Sequence, residues 1–199
     1  MRENGIFSTR RIKFKITTKA AKGLVKIDNL LKRNFKVEVP NKVWVSDITY
    51  INTKEGWLYL CIIIDLYSRK IVGWHCSNRL SNHLVIHSFL KAYKQKNPGK
   101  DLIFHSDQGS QYTSNDFSKI LKNLNVKQSL SRKANCLDNA AAESCFHTIK
   151  EEMGRIFESR DCAKSKIFEY IEAFYNSFTN YYLPNNFEML YYGLYKNVA

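Results

Sequence analysis

The chain has 199 residues, with 31 Lys/Arg against 18 Asp/Glu and a formal net charge of +13, a length that suits one domain with at most a short appendage. An apolar fraction of 44%, with 14% aromatics, supplies a core and excludes a wholly disordered basic tail. No apolar run approaches the roughly 20 residues of a membrane helix, and the first 15 residues lack the apolar stretch of a secretory signal. Five scattered cysteines without a C-x-x-C pair argue against a disulfide framework or a zinc finger and suit a reducing cytoplasm. The positive surplus points to a polyanionic partner, nucleic acid first, and to no membrane.

Residues 1–40 hold 11 Lys/Arg against 3 Asp/Glu, and Arg10, Arg11, Lys13 and Lys15 cluster there. This basic arm reads either as a solvated tail or as a phosphate-binding segment. After Pro40 the pattern changes to strands. WVSDITYI (44–51) is rich in β-branched and aromatic residues, and WLYLCIIIDL (57–66) is nearly continuous apolar, as in a strand buried on both faces. RKIVGWHC (69–76) follows a tight turn, so the three predict an antiparallel meander. A helix is expected over 81–95, capped by Ser81 or Asn82 and ended by Asn97-Pro98-Gly99. Then come a short strand at 102–104, a polar loop at 105–112, a helix at 114–124 and a strand at 126–130. Helices are expected over 140–154 and 161–180. The order predicts an α/β fold whose five-stranded mixed sheet, a three-strand meander plus two further strands, is flanked by helices.

Three acids sit where acids are unexpected. Asp47 interrupts an apolar strand, Asp107 directly follows another, and Glu143 opens an alanine-rich helix. A lone carboxylate in a buried strand costs several kcal/mol unless it is paired, hydrogen-bonded or bound to a cation. Acids converging at strand ends offer hard oxygen ligands for magnesium or manganese. A pair of such ions can hold the attacking and leaving oxygens of a phosphodiester. The 35 residues between Asp107 and Glu143 are weak evidence alone, since Asp116 and Glu152 share that spacing. Context separates the pairs: Asp116 suits a helix start and Glu152 a solvated helix face. Lys150, two turns after Glu143, shares its helix face and reads equally as a phosphate contact or an ordinary exposed charge. Asp65 reads as a turn cap or a partner of Arg69, and Asp138 as a helix cap.

WVSDITYI, GWLYLCIIIDLYSRKIVGW, HSDQGSQYTS, SLSRKANCLDNAAAESCFHTIKEE and IFEYIEAFYNS together resemble the transposases of bacterial insertion sequences made from the second reading frame. These share the retroviral-integrase core and its D,D(35)E signature, and the resemblance runs from about residue 5 to 177. It implies a ribonuclease-H-like fold, with Asp47, Asp107 and Glu143 as catalytic acids holding two divalent cations, Mg2+ or Mn2+. It further implies cleavage of the 3′ ends of the element and transfer of the freed 3′-hydroxyl to another strand, with no covalent protein intermediate. Lys150, Arg132 and Lys133 match DNA-contacting basic positions, and Arg10 and Arg11 join them as candidates from the arm.

The implied partners are double-stranded DNA, as element ends and target, and further copies of the chain assembled on DNA in a bacterial cytoplasm. The expected division is a basic arm at 1–40, the remnant of an upstream DNA-binding region, a catalytic core at 41–180 and a shortened segment at 181–199. Two departures from the family pattern, a late start and the absence of a basic run before Pro184, keep open an alternative. On that alternative the chain is a truncated, non-catalytic remnant that binds DNA or modulates full-length transposase.

The remaining candidates read as structural. His83 and His87 are four apart on a helix but lack a cysteine pair for zinc. Trp44, Trp57 and Trp74 read as sheet packing, the cysteines as small buried hydrophobes, Gly109 as the allowance for a tight turn and His105 as a loop orienter.

Overall fold

The computed structural model describes residues 27–32, 34, 36–131, 145, 146, 149, 150, 153, 154 and 156–178. Its centre is a five-stranded sheet in the order β3-β2-β1-β4-β5. The strands are β1 (Val43–Thr53), β2 (Gly56–Asp65), β3 (Ile71–Ser77), β4 (Ile103–Ser106) and β5 (Lys127–Leu130). The first three form the expected antiparallel meander, while β4 runs parallel to β1 and β5 parallel to β4. Crossovers supply the parallel partners: α1 (Asn82–Lys96) leads into β4 and α2 (Asn115–Asn123) into β5.

The local chemistry explains the boundaries. Ser114 Oγ accepts from the Phe117 amide and caps α2. At the end of α1, Asn97 adopts the left-handed conformation (φ 43°) and donates its amide to the Tyr93 carbonyl, and Pro98 follows. Gly56 (φ +103°) opens β2 after the hairpin turn, a conformation that only glycine adopts without strain.

Strand alternation divides the interior into two layers. On one face Val43, Val45, Ile51, Leu58, Leu60, Ile62 and Ile64 pack with Cys145, Phe146, Ile149 and α3 (Arg160–Phe168). On the other, Trp44, Cys61, Ile63 and Val72 meet α1 and α2 through Leu84, Val85, Phe89 and Phe117. Phe89, Phe104 and Phe117 contact one another edge to face at 5.2–5.6 Å between centroids, geometry that adds to simple burial. Leu31, at the end of the basic arm, is buried in the first layer, and the Leu30 amide donates to Ser129 Oγ on β5.

Cys145, Phe146, Ile149, Lys150 and Met153 are helical, within the helix expected over 140–154. The helix expected over 161–180 is not uniform. After α3 the chain widens into a π-helical segment, Glu169–Tyr175, before a last α-helical turn at Asn176–Phe178. The wider turn rotates the following side chains toward the sheet. Asn176 accepts from the Ile71 amide at 2.9 Å and donates to the Ile71 carbonyl at 3.0 Å, while the Tyr175 hydroxyl donates to the Arg69 carbonyl. A 3.6-residue periodicity carries no sign of such a turn. Among the described residues, no helix is long and apolar enough to cross a membrane.

Candidate active site

The sheet order reverses between β1 and β4: from β1 the chain moves toward β3, and from β4 toward β5. Open α/β sheets bind ligands at such a switch point, beyond the strand ends. The parallel register pairs Val43 with Ile103, Trp44 with Phe104 and Val45 with His105, and there the ladder stops. Two residues beyond that end stand Asp47, still within β1, and Asp107, the first residue after β4. Strand periodicity places Asp47 on the sheet face that carries Val43, Val45 and the helical residues Cys145, Phe146 and Ile149, and Asp107 leaves the neighbouring strand at the corresponding level.

Each acid is held locally. Asp47 Oδ1 accepts from the Ile48 amide at 2.7 Å, and Asp107 Oδ1 accepts from the Gly109 amide at 3.0 Å. Burial pushes the Asp107 carboxyl above its ordinary range, and the Gly109 amide opposes that only in part. Gly109 is needed for space rather than for an unusual φ. A Cβ there would lie 3.0 Å from Asp107 Oδ1 and 3.2 Å from Gln111 Oε1.

Burial lowers the ammonium pKa of Lys150, and the negative charge of Asp47 raises it. The structure thus sets Asp47 and Asp107 at the same end of adjacent strands, with Lys150 within electrostatic reach of Asp47. Glu143, Arg132, Lys133, Arg10 and Arg11 lie outside the described residues. Among the described residues, no group of three or more His, Cys, Asp or Glu is arranged to hold a metal ion. The donor set that is present, two carboxylates at the same end of adjacent strands, one of them costly to ionise, is nonetheless what a hard divalent cation relieves.

Sequence reasoning missed a buried contact on the opposite face of β1 from Asp47. Tyr112, fully buried, leaves the loop after Asp107 and reaches back to β1, its hydroxyl 2.9 Å from Ser46 Oγ. Ser46 Oγ in turn donates to the Ile62 carbonyl at 2.8 Å and lies 3.5 Å from Cys61 Sγ. Burial raises the Tyr112 phenol well above its usual value, and the charges of Asp47 and Asp107 add to that. One signal was visible: Ser46 is a hydroxyl inside an apolar strand and needs a partner.

Other candidates have structural roles. Asp65, buried, accepts from the Asn41 amide and from both the amide and the hydroxyl of Ser68. Asp116, in the first turn of α2, accepts from Asn82 Nδ2. His105 is buried with Nδ1 2.8 Å from Ser129 Oγ, so it ties β4 to β5. His83 and His87 form a ring cluster with His75, at 6.4 Å and 5.3 Å between centroids. Cys61 and Cys145 are buried, but Cys76 and Cys162 are only half-buried. Of the tryptophans, Trp44 packs in the core and Trp74 is half-buried, whereas Trp57 is 51% exposed and packs edge to face on Tyr50 of the neighbouring strand. A cleft of about 240 Å³ between β3, α1 and the π-helical segment, lined by Lys70, Gly73, Trp74, Lys91, Glu172 and Asn176, stands apart from the acids.

With this geometry in view, the comparisons define the class. Residues 38–136 match the family described as "Integrase core domain". The catalytic domain of Mos1 mariner transposase superposes with a TM-score of 0.56 at 14% identity, covering 70% of this chain and 76% of that one. A chain of the simian T-cell lymphotropic virus intasome, solved with PP2A regulatory subunit B56 gamma, gives 0.53 at 16% identity, covering 78% and 54%. Both likenesses are of fold, and the five-stranded mixed sheet with flanking helices is ribonuclease-H-like.

The particular relatives are narrower. The transposase for insertion sequence element IS904 of Lactococcus lactis subsp. lactis (strain IL1403) is 47% identical over 167 residues, covering 80% of this chain. Transposase InsF for insertion sequence IS3A of Escherichia coli (strain K12) is 39% identical over 178 residues, covering 88%. The chain spans 66% of the length of the first relative and 62% of the second. It belongs to the insertion-sequence transposases with an integrase core.

Proposed function

We propose that this chain is the catalytic core of a DNA transposase that cleaves phosphodiesters at element ends and joins the freed 3′-hydroxyl to another strand. The observation that carries the reading is the level placement of Asp47 and Asp107 where the β1–β4 ladder ends at the switch point of the sheet. Asp47, Asp107 and Glu143 would hold two divalent cations, magnesium or manganese. When bound, these supply a Lewis acid that activates water and stabilises the leaving oxygen.

The residues of the chain do the rest. Asp47 and Asp107 present their oxygens from two adjacent strands, and the Gly109 amide fixes the rotamer of the second. Lys150, beside Asp47, offers an ammonium to a neighbouring phosphate. Arg132, Lys133, Arg10 and Arg11 belong to the proposal as further phosphate contacts. Joining two element ends requires two or more copies on one DNA, so an assembly formed on DNA belongs to the proposal.

The test is nicking and strand transfer on element-end DNA with manganese. Asp47→Asn, Asp107→Asn and Glu143→Gln should each abolish both reactions, while Asp116→Asn, from the decoy pair with the same spacing, should retain them. Residual activity in Asp47→Asn/Glu143→Gln overturns the assignment. A chain that binds the DNA yet never cuts it in any divalent metal is the non-catalytic remnant.

A further inference from the structure

Beyond the last β1–β4 pair, the β1–β2 hairpin continues without β4 beside it. Tyr50 stands directly opposite Tyr59, with Trp57 diagonal to Tyr50, so all three rings share the face that also carries Ser46, Ile48 and Cys61. Nearer the core that face is covered by α1 and α2. At the hairpin end it is open: Trp57 is 51% exposed, and Tyr50 and Tyr59 are half-buried.

The rings are held rather than loose. Tyr50 meets Tyr59 at 5.2 Å and 68°, and Trp57 at 6.2 Å and 89°, so each buttresses the next edge to face. Arg160 lies behind the hairpin, its Nε 3.4 Å from the Trp57 carbonyl oxygen. Tyr50 is three residues after Asp47, so its ring leaves β1 on the opposite face from that carboxylate, across the strand edge that β4 leaves open, and it feels the charge of Asp107.

A rigid, exposed aromatic surface on a sheet, one open strand edge away from a phosphodiester site in a chain of net charge +13, matches one ligand chemistry: an unpaired base. We propose that Tyr50, Trp57 and Tyr59 form a stacking platform for an unpaired nucleobase of the DNA strand whose phosphate lies at Asp47 and Asp107. This rests on the reading that those acids act on DNA. A terminus that must leave its duplex to be cut or joined exposes such a base, and stacking compensates its lost neighbour.

The test measures affinity of the full chain, without divalent metal, for a short blunt duplex and for the same duplex with a single-stranded extension. The unaltered chain should prefer the extended duplex by about tenfold for each base stacked. Trp57→Ala and Trp57→Leu, which remove the π-face with or without the apolar bulk, should erase the preference and leave blunt-duplex affinity unchanged. Trp57→Phe should retain most of it, and fluorescence quenching by the extended duplex should fall in Trp57→Phe relative to the unaltered chain.

The proposal is overturned by equal affinity for the two duplexes, or by a preference that survives both Trp57→Ala and Trp57→Leu. It is also overturned if Trp57→Ala abolishes self-association and alters neither DNA affinity, which assigns the face to a second copy. Manganese-dependent nicking of the blunt duplex is scored separately. Its absence, with the extension preference intact, refutes the reading of the acids and not that of the platform.

Discussion

The contact between Tyr112 and Ser46 can be dissected by a double-mutant cycle, because the proton roles are determined. The single hydroxyl proton of Ser46 goes to the Ile62 carbonyl at 2.8 Å, so Tyr112 must donate across the 2.9 Å contact. Tyr112→Phe therefore removes a donor and leaves none stranded, costing one net hydrogen bond, about 1 kcal/mol. Ser46→Ala instead strands the fully buried phenol, whose other neighbour is the Cys61 sulfur at 3.8 Å. The cost there is about 2 kcal/mol, within the range for an unmet buried donor. In the double mutant the stranded donor is gone, so the total should be about 2 rather than 3 kcal/mol, a coupling of about 1 kcal/mol. Urea denaturation of the four proteins measures it, with Tm shifts of about 2–4 °C per kcal/mol at this chain length. Additivity within about 0.3 kcal/mol refutes the bond and with it the tie between the Asp107 loop and β1.

Asp107→Asn should raise Tm at neutral pH. Burial lifts the carboxyl of the folded state above its unfolded value, so ionisation destabilises the fold as pH rises through that window, and the amide removes the cost while still accepting from Gly109. The gain should vanish at pH values below the ordinary carboxylate range; an equal Tm at neutral pH contradicts the argument. Gly73→Ala should destabilise by about 1–3 kcal/mol in urea melts, because its Cβ would come within 2.6 Å of Ala92 Cβ and 2.7 Å of the Ser88 carbonyl. Gly99→Ala, with nothing within 4 Å, is the control and should move the melt little.

What was legible in the chain was set by local chemistry. The meander followed from short turns between β-branched runs, and the start of α1 from the Ser81-Asn82 pair, although Ser81 takes the N-cap position without a side-chain cap bond. Asp65 was readable as a turn cap because its partner Ser68 is three residues away. The rest depends on contacts between distant segments. Tyr112 lies 66 positions from Ser46, and Asn176 lies 105 from Ile71, so neither period nor propensity could connect them. The exposure of Trp57 was not legible for a related reason: alternation tells which face a side chain takes, and only the tertiary packing tells whether that face is covered.

The charge distribution leads to two separable electrostatic regimes. A chain at +13 binds a polyanion through many dispersed lysines and arginines, and each phosphate neutralised releases counterions, so that part of the affinity falls steeply with salt. Asp47 and Asp107 act in the opposite sense, since two adjacent carboxylates repel the phosphate they are proposed to process. Only a cation between acids and phosphate reverses that local sign, whereas monovalent salt merely screens it. On the proposed function, then, divalent metal should tighten binding of an element end even as added monovalent salt weakens it. Neutralising the pair by Asp47→Asn/Asp107→Asn should tighten metal-free binding while abolishing the metal dependence. A double variant that instead binds metal-free DNA more weakly places the acids away from the phosphate, and binding assays with and without magnesium decide between the two.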